Sequence, residues 1–143
     1  MLKFLTKQFY IDYQAFSEME KKQYRPYIMV VVEIDNRLTV AIPFRSNISH
    51  NHVVWTDKAN KRGIDLSKAV VITDKAKYID ATTSPQMRRS EFKAIKGKDA
   101  FIAQRMKTYI RRYKKAYKNR KEYYNNILCK YSTMQYFHKE IGL

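Results

Sequence analysis

The sequence predicts an α+β protein: a small, strongly curved antiparallel sheet curled into a barrel, with helices packed on it, one of them long and basic. Three observations predict this. Short β-branched runs cluster before residue 90. Helical periodicity dominates after residue 91. No Gly/Ser linker separates the two, so 1–143 reads as a single domain.

Ile28-Met29-Val30-Val31-Val32-Glu33-Ile34 is a buried-strand run. Asp35-Asn36-Arg37 reads as a hairpin turn, and Leu38-Thr39-Val40-Ala41-Ile42-Pro43 as the returning strand. Proline has no N–H for a ladder, so Pro43 is expected to end that strand or sit at an edge. Lys68–Ile72 is a third strand, Met1–Thr6 a fourth, and Tyr78-Ile79 a short fifth. Arg45 to Ser67 reads as a polar loop of about twenty residues, a length that usually marks function.

Ser84 is expected to cap a helix with Pro85 at its first position, and Gly97 to end it. A longer helix starts at Asp99. Ile102, Met106, Tyr109, Ile110, Tyr113 and Tyr117 share one face of it; Lys107, Arg111, Lys114 and Lys118 share the other. A last helix is expected at Tyr131–Ile141, ending at Gly142.

Charge narrows the function. Lys and Arg number 29 against 13 Asp and Glu, a formal net charge of +16. Lys93 to Lys121 holds twelve cations and one acid, Asp99. Like charges at i,i+4 repel, so a face this one-sided calls for a polyanion. A membrane surface is the rival, but the apolar face carries tyrosines rather than a Leu/Phe/Trp wedge. The single Cys129 excludes an internal disulfide and a Cys-based zinc cluster, and reads as a small buried side chain. No apolar run reaches the length of about 18 residues that spans a bilayer, and Met1–Leu5 is too short for a secretory signal. A cytoplasmic protein is expected.

Chemistry concentrates after the second strand. Pro43-Phe44-Arg45-Ser46-Asn47-Ile48-Ser49-His50 sets a cation, hydroxyls, an amide and an imidazole at a strand end. This suits RNA cleavage by the 2′-hydroxyl. Arg45 would balance phosphorane charge, His50 would move a proton, and Ser46 and Asn47 would hold the phosphate. The same residues also suit a plain Asx or Ser turn. His50 and His52 are two apart, with no acidic pair beside them, so metal chemistry is disfavoured and no cofactor is expected. Three glycines and no G-x-S-x-G argue against a serine hydrolase. Lys61, Arg62 and Lys68 are expected on RNA backbone, with Arg25, held extended before Pro26, and with Lys107, Arg111, Lys114, Lys115 and Lys118. Asp65 reads as a turn former pairing with Arg62, His52 as a loop residue, and His138 as a satisfied helix histidine. Trp55 could stack on a base or pack on the sheet.

Several stretches resemble one family. Tyr24-Arg25-Pro26-Tyr27, the Val-rich hairpin, Ile42-Pro43-Phe44-Arg45-Ser46-Asn47-Ile48-Ser49-His50, Lys61-Arg62-Gly63-Ile64-Asp65-Leu66-Ser67-Lys68-Ala69-Val70-Val71-Ile72 and Tyr136-Phe137-His138 look like the toxin of type III toxin–antitoxin systems. The TenpN/CptN branch is nearest, with ToxN and AbiQ more distant. The resemblance implies a MazF/Kid-like barrel and a metal-independent, sequence-selective endoribonuclease. It implies 2′,3′-cyclic phosphate and 5′-hydroxyl products. It further implies inhibition by a repeat antitoxin RNA, a pseudoknot that the toxin also processes, in a protein–RNA hetero-oligomer acting in phage defence by abortive infection. Ser46 takes the place of the family's active-site serine, Tyr10 of an early tyrosine and Tyr24 of one before the hairpin. The lysine that follows the serine in ToxN-like members is missing, so either His50 or Arg45 would take over its role. A non-catalytic RNA-binding module and a DNA-binding regulator are the alternatives; the strand-rich first half offers no helix-turn-helix for the second.

Overall fold

The computed structural model describes residues 1–14, 16 and 27–143. Tyr24 and Arg25 lie outside the described residues. Among these, six strands and five α-helices form one antiparallel sheet with helices against it.

Strand β1 (Leu2–Lys3) pairs with β2 (Met29–Ile34), and β2 with β3 (Leu38–Arg45). The β2–β3 turn is as expected. Asp35 and Asn36 both have positive φ (53° and 54°), and the Arg37 N–H donates to the Ile34 carbonyl at 3.1 Å. The segment expected as a polar loop instead contains a hairpin, β4 (Val53–Asp57) and β5 (Arg62–Asp65). Strand β6 (Val70–Val71) pairs with β3. The order is β1-β2-β3-β5-β4, with β6 also on β3.

Pro43 neither ends its strand nor lies at an edge: β3 is central and runs on to Arg45. The Phe44 N–H donates to the Ile28 carbonyl (2.9 Å), so Pro43 opposite Met29 falls in a non-hydrogen-bonded pair. Its absent N–H would face the other side. There β6 has stopped at Ala41 and β5 begins at Phe44. The proline costs the ladder nothing at that gap.

The sheet is open, not a barrel. β1 and β4 each have one neighbour and remain edges. β1 and β6 are two residues long, too short to carry the continuous stagger that closure requires.

Helix α1 (Lys7–Asp12) is capped by Thr6, whose hydroxyl accepts from Phe9 N. Helix α2 (Lys75–Tyr78), capped by Asp74, takes Tyr78 from the expected fifth strand; Ile79 alone bridges to Leu5. Helix α3 (Arg89–Ile95) starts four residues later than expected. Pro85 is buried and Met87 packs on the core, so this stretch serves packing rather than a first helical turn. Gly97 does end α3, at φ 73°. Helix α4 (Asp99–Lys118) lies where expected. It buries Ile102, Met106, Tyr109, Ile110 and Tyr113, and packs against β2.

The last helix is displaced. α5 spans Tyr123–Tyr131, capped by the Glu122 carboxylate on Asn125 N (2.8 Å). It stops where buried Ser132 turns extended, and the Ser132 hydroxyl accepts from Tyr109 Oη (2.7 Å) and Met134 N (3.2 Å). A tertiary bond thus replaces the next helical turn. A 3₁₀ turn (Thr133–Tyr136) follows, and Gly142 sits in a left-handed turn at φ 75°. No described helix is long and apolar enough to cross a membrane.

Candidate functional site

The β4–β5 hairpin brings three chain segments together. Gly63 of β5 pairs with Arg45 of β3 on one side and Trp55 of β4 on the other. A Cβ at Gly63 would meet Val54 O at 2.6 Å and Val53 Cγ1 at 2.7 Å, so only glycine permits this approach. Asp65, two residues on, shares the face of Arg45. The Leu66 N–H donates to the His52 carbonyl (2.9 Å), which sets His50 and His52 beside Asp65 and Ser67.

Asp65 is the hub, with 0% exposure. Its Oδ2 accepts from Arg45 Nη1 at 2.7 Å and lies 3.2 Å from His50 Nε2. Its Oδ1 accepts from Ser67 Oγ at 2.6 Å and Ser67 N at 3.0 Å. Burial is the largest influence on the Asp65 carboxyl and pushes its pKa up. The bonds from His50, Ser67 and Arg45, with the His50 charge, outweigh burial and hold it below the usual range. Asp65 does form the turn into Leu66-Ser67, but its cation is Arg45; Arg62 pairs with Asp57 at 3.7 Å.

The His52 N–H donates to His50 Nδ1 (3.1 Å), so neutral His50 carries its proton on Nε2, toward Asp65. Ser67 Oγ also lies 3.3 Å from His50 Nε2. Acid and hydroxyl meet the same ring nitrogen. A relay needs them on opposite nitrogens, so this is not a Ser-His-Asp nucleophile.

His52, expected as a loop residue, is a member of the cluster. Its ring lies 5.5 Å from that of His50 and edge-on to Tyr109 at 5.4 Å. Burial, and then the His50 charge, lower its pKa, so it is neutral at pH 7. The available signal was the His50-Asn51-His52 spacing, which a bend closes so that both rings lie together.

Ser46 is exposed, and no hydrogen bond joins it to His50, whose hydroxyl neighbour is Ser67. The chain turns between them, with Asn47 left-handed at φ 57° and Ile48 buried. Asn47 is an exposed turn residue. Ser46 does line a groove of about 560 Å³ with Arg45, Arg62, Arg88, Tyr27 and Phe44. Its Glu91 accepts from Thr56 Oγ1 at 2.8 Å. Tyr10, expected at the site, is a core residue, 3% exposed and edge-on to Phe9 at 5.4 Å.

Lys61 is exposed at a left-handed position (φ 56°), and Lys68 Nζ donates to the Tyr131 carbonyl (2.8 Å). Lys107 has an acidic neighbour after all, Asp35 at 2.9 Å across from the β2–β3 turn. With Arg37, Arg111, Lys114 and Lys139 it lines a second groove, of about 500 Å³. Lys115 and Lys118 are exposed on α4 outside it. His138 bonds the Tyr113 hydroxyl (2.8 Å) from a turn rather than a helix, Trp55 is half-buried on β4, and Cys129 is buried. Among the described residues no three His, Cys, Asp or Glu side chains are grouped to hold a metal ion.

No family model, curated protein or solved structure matches the chain.

Proposed function

We propose that this chain is a metal-independent, sequence-selective endoribonuclease, the toxin of a type III toxin–antitoxin pair held by a cognate repeat RNA. The observation that supports it is one cluster: Arg45, His50, His52 and Ser67 around buried Asp65, opening beside a groove rich in guanidinium groups. Such a cluster has what 2′-hydroxyl attack requires. The 2′-oxygen bonds to phosphorus as the P–O5′ bond breaks, leaving a cyclic phosphate and a 5′-oxygen that takes its proton from water. His52, neutral and partly open, takes the 2′-hydroxyl proton. Arg45, oriented by Asp65, and Arg62 offset the phosphorane charge. Ser46 donates to a phosphoryl oxygen, and Tyr27 and Phe44 offer surfaces to a base. His50 is a positioning residue that locks Asp65.

The test is digestion of RNA by the purified protein with end mapping. Cyclic phosphate ends made in EDTA, and lost in His52→Ala, are the expected result. Activity that vanishes in EDTA and returns with a divalent ion overturns the metal-free reaction.

One observation favours a second reading, a non-catalytic RNA-binding module. Both nitrogens of His50 are engaged, and no imidazole is bonded to Ser46. RNA bound but left intact by the wild type selects it.

A further inference from the structure

Helix α5 leaves its tyrosines in water. Tyr123, Tyr124 and Tyr131 are 67%, 73% and 52% exposed, although the same helix buries Cys129. Tyr124 and Tyr131 are seven residues apart, so they share a face, about 10 Å apart along the axis. The surroundings are cationic. Lys130 Nζ lies 5.4 Å from the Tyr131 ring centre, and Lys118, Arg120 and Lys121 precede the helix. The nearest acid in sequence, Glu122, is committed to the helix cap.

Helix α5 adjoins the Asp65 cluster by two routes. Ser67 accepts from Thr133 Oγ1 through its carbonyl (3.2 Å), and its neighbour Lys68 bonds the Tyr131 carbonyl. On the other route, Arg112 acts electrostatically on His52 and donates to Asn125 Oδ1 at 3.1 Å, one residue from Tyr124.

We propose that α5 is a stacking platform for unpaired bases of the RNA strand that runs out of the Asp65 cluster, past Lys68 and Arg112, onto Tyr131 and Tyr124. It rests on the RNA reading above and deepens it, by making single-stranded RNA the class of substrate held. Exposed rings among cations suit single strands, whose bases offer their faces; a duplex keeps its bases stacked inside. Core packing explains none of the three rings. A protein partner would also accept tyrosines, but the unbalanced lysines beside them select a polyanion.

The experiment measures binding of full-length protein to an uncleavable 2′-O-methyl single strand, to the same strand in a duplex, and to inorganic polyphosphate. The variants are Tyr124→Ala/Tyr131→Ala and Tyr124→Trp/Tyr131→Trp. Both positions are exposed, and circular dichroism checks the fold. The alanine pair is expected to weaken the single strand at least about tenfold, to leave polyphosphate within about twofold and, on a cleavable 2′-hydroxyl strand of the same sequence, to raise KM with kcat kept; the tryptophan pair restores binding. Equal losses on polyphosphate, no loss on the single strand, or tighter duplex than single-strand binding by the wild type would overturn the platform. A wild type that binds the single strand but never cuts sinks the nuclease reading and leaves the platform standing.

Discussion

A carboxylate stripped of water stays ionised only when donors replace that water. Asp65 has four: Arg45 Nη1, His50 Nε2, and the Ser67 hydroxyl and amide. Removing it leaves these groups unmatched. Asp65→Ala is expected to cost about 3 kcal/mol, the low end for a broken buried pair because Arg45 can turn to water; urea denaturation measures it. The lowered Asp65 pKa has a definite sign. The stability it contributes is present above its unfolded value, about 3.9, and is lost as pH falls through the lower folded value. His52 adds an earlier loss. Its folded pKa is also lowered, so stability begins to fall as pH drops below about 6.5. If His52 is the base, the acidic limb of kcat/KM has an apparent pKa below 6.5 and disappears in His52→Ala. A limb above 7 would assign the proton to another group. His52 itself was legible only as an imidazole two residues from another. The bend at His50-Asn51, which the His52 N–H closes onto His50 Nδ1, brings both rings together, and the bond from Leu66 sets them beside Asp65.

Among the elements, the β4–β5 hairpin was the least legible. Val53-Val54-Trp55 is a short run set between polar residues, and its partner contains Arg62, Gly63 and Asp65. The first half, Val53-Val54-Trp55-Thr56, is strand-favouring but short, and the second carries no strand signature until β3 pairs with it. Gly63 is the reason they fit. Gly63→Ala puts a methyl within 2.6 Å of backbone at Val54 O, which cannot rotate away. The expected loss is about 2–3 kcal/mol, in the range for overpacking, with activity falling alongside as Arg45 loses its register. A melting temperature unchanged by more than a degree contradicts this. α4 was the most legible element, because periodicity over five turns is a long local signal. α5 was misplaced because the signal is short and Ser132 leaves the helix to bond Tyr109, a residue 23 positions away.

For the whole molecule the net charge of +16 is the dominant fact. Arg111 and Lys114 line the groove beside the β2–β3 turn, while the charge on Lys107 is partly met by Asp35. If that groove follows an RNA backbone, Arg111→Ala/Lys114→Ala weakens binding alike for all sequences. It also flattens the plot of log affinity against log salt, by about 0.7 per lost contact on a single strand. Lys107→Ala is also expected to weaken binding, since it leaves the Asp35 carboxylate unpaired in the groove. A slope unchanged by the double substitution would place the RNA elsewhere.

The sequence by itself determined the α+β class, the β2–β3 hairpin with its Asp35-Asn36 turn, the start of α4 and its buried face, and the cationic surplus. Each of these is local, written in turn chemistry, periodicity or a sum of charges. Only the tertiary structure decided that the sheet stays open, that Pro43 sits harmlessly mid-sheet, and that Arg45 serves Asp65. It also set Ser67 rather than Ser46 beside His50, and Tyr10 in the core. These depend on which distant strand comes to lie alongside, and a buried ion takes its partners from whatever donors that pairing delivers.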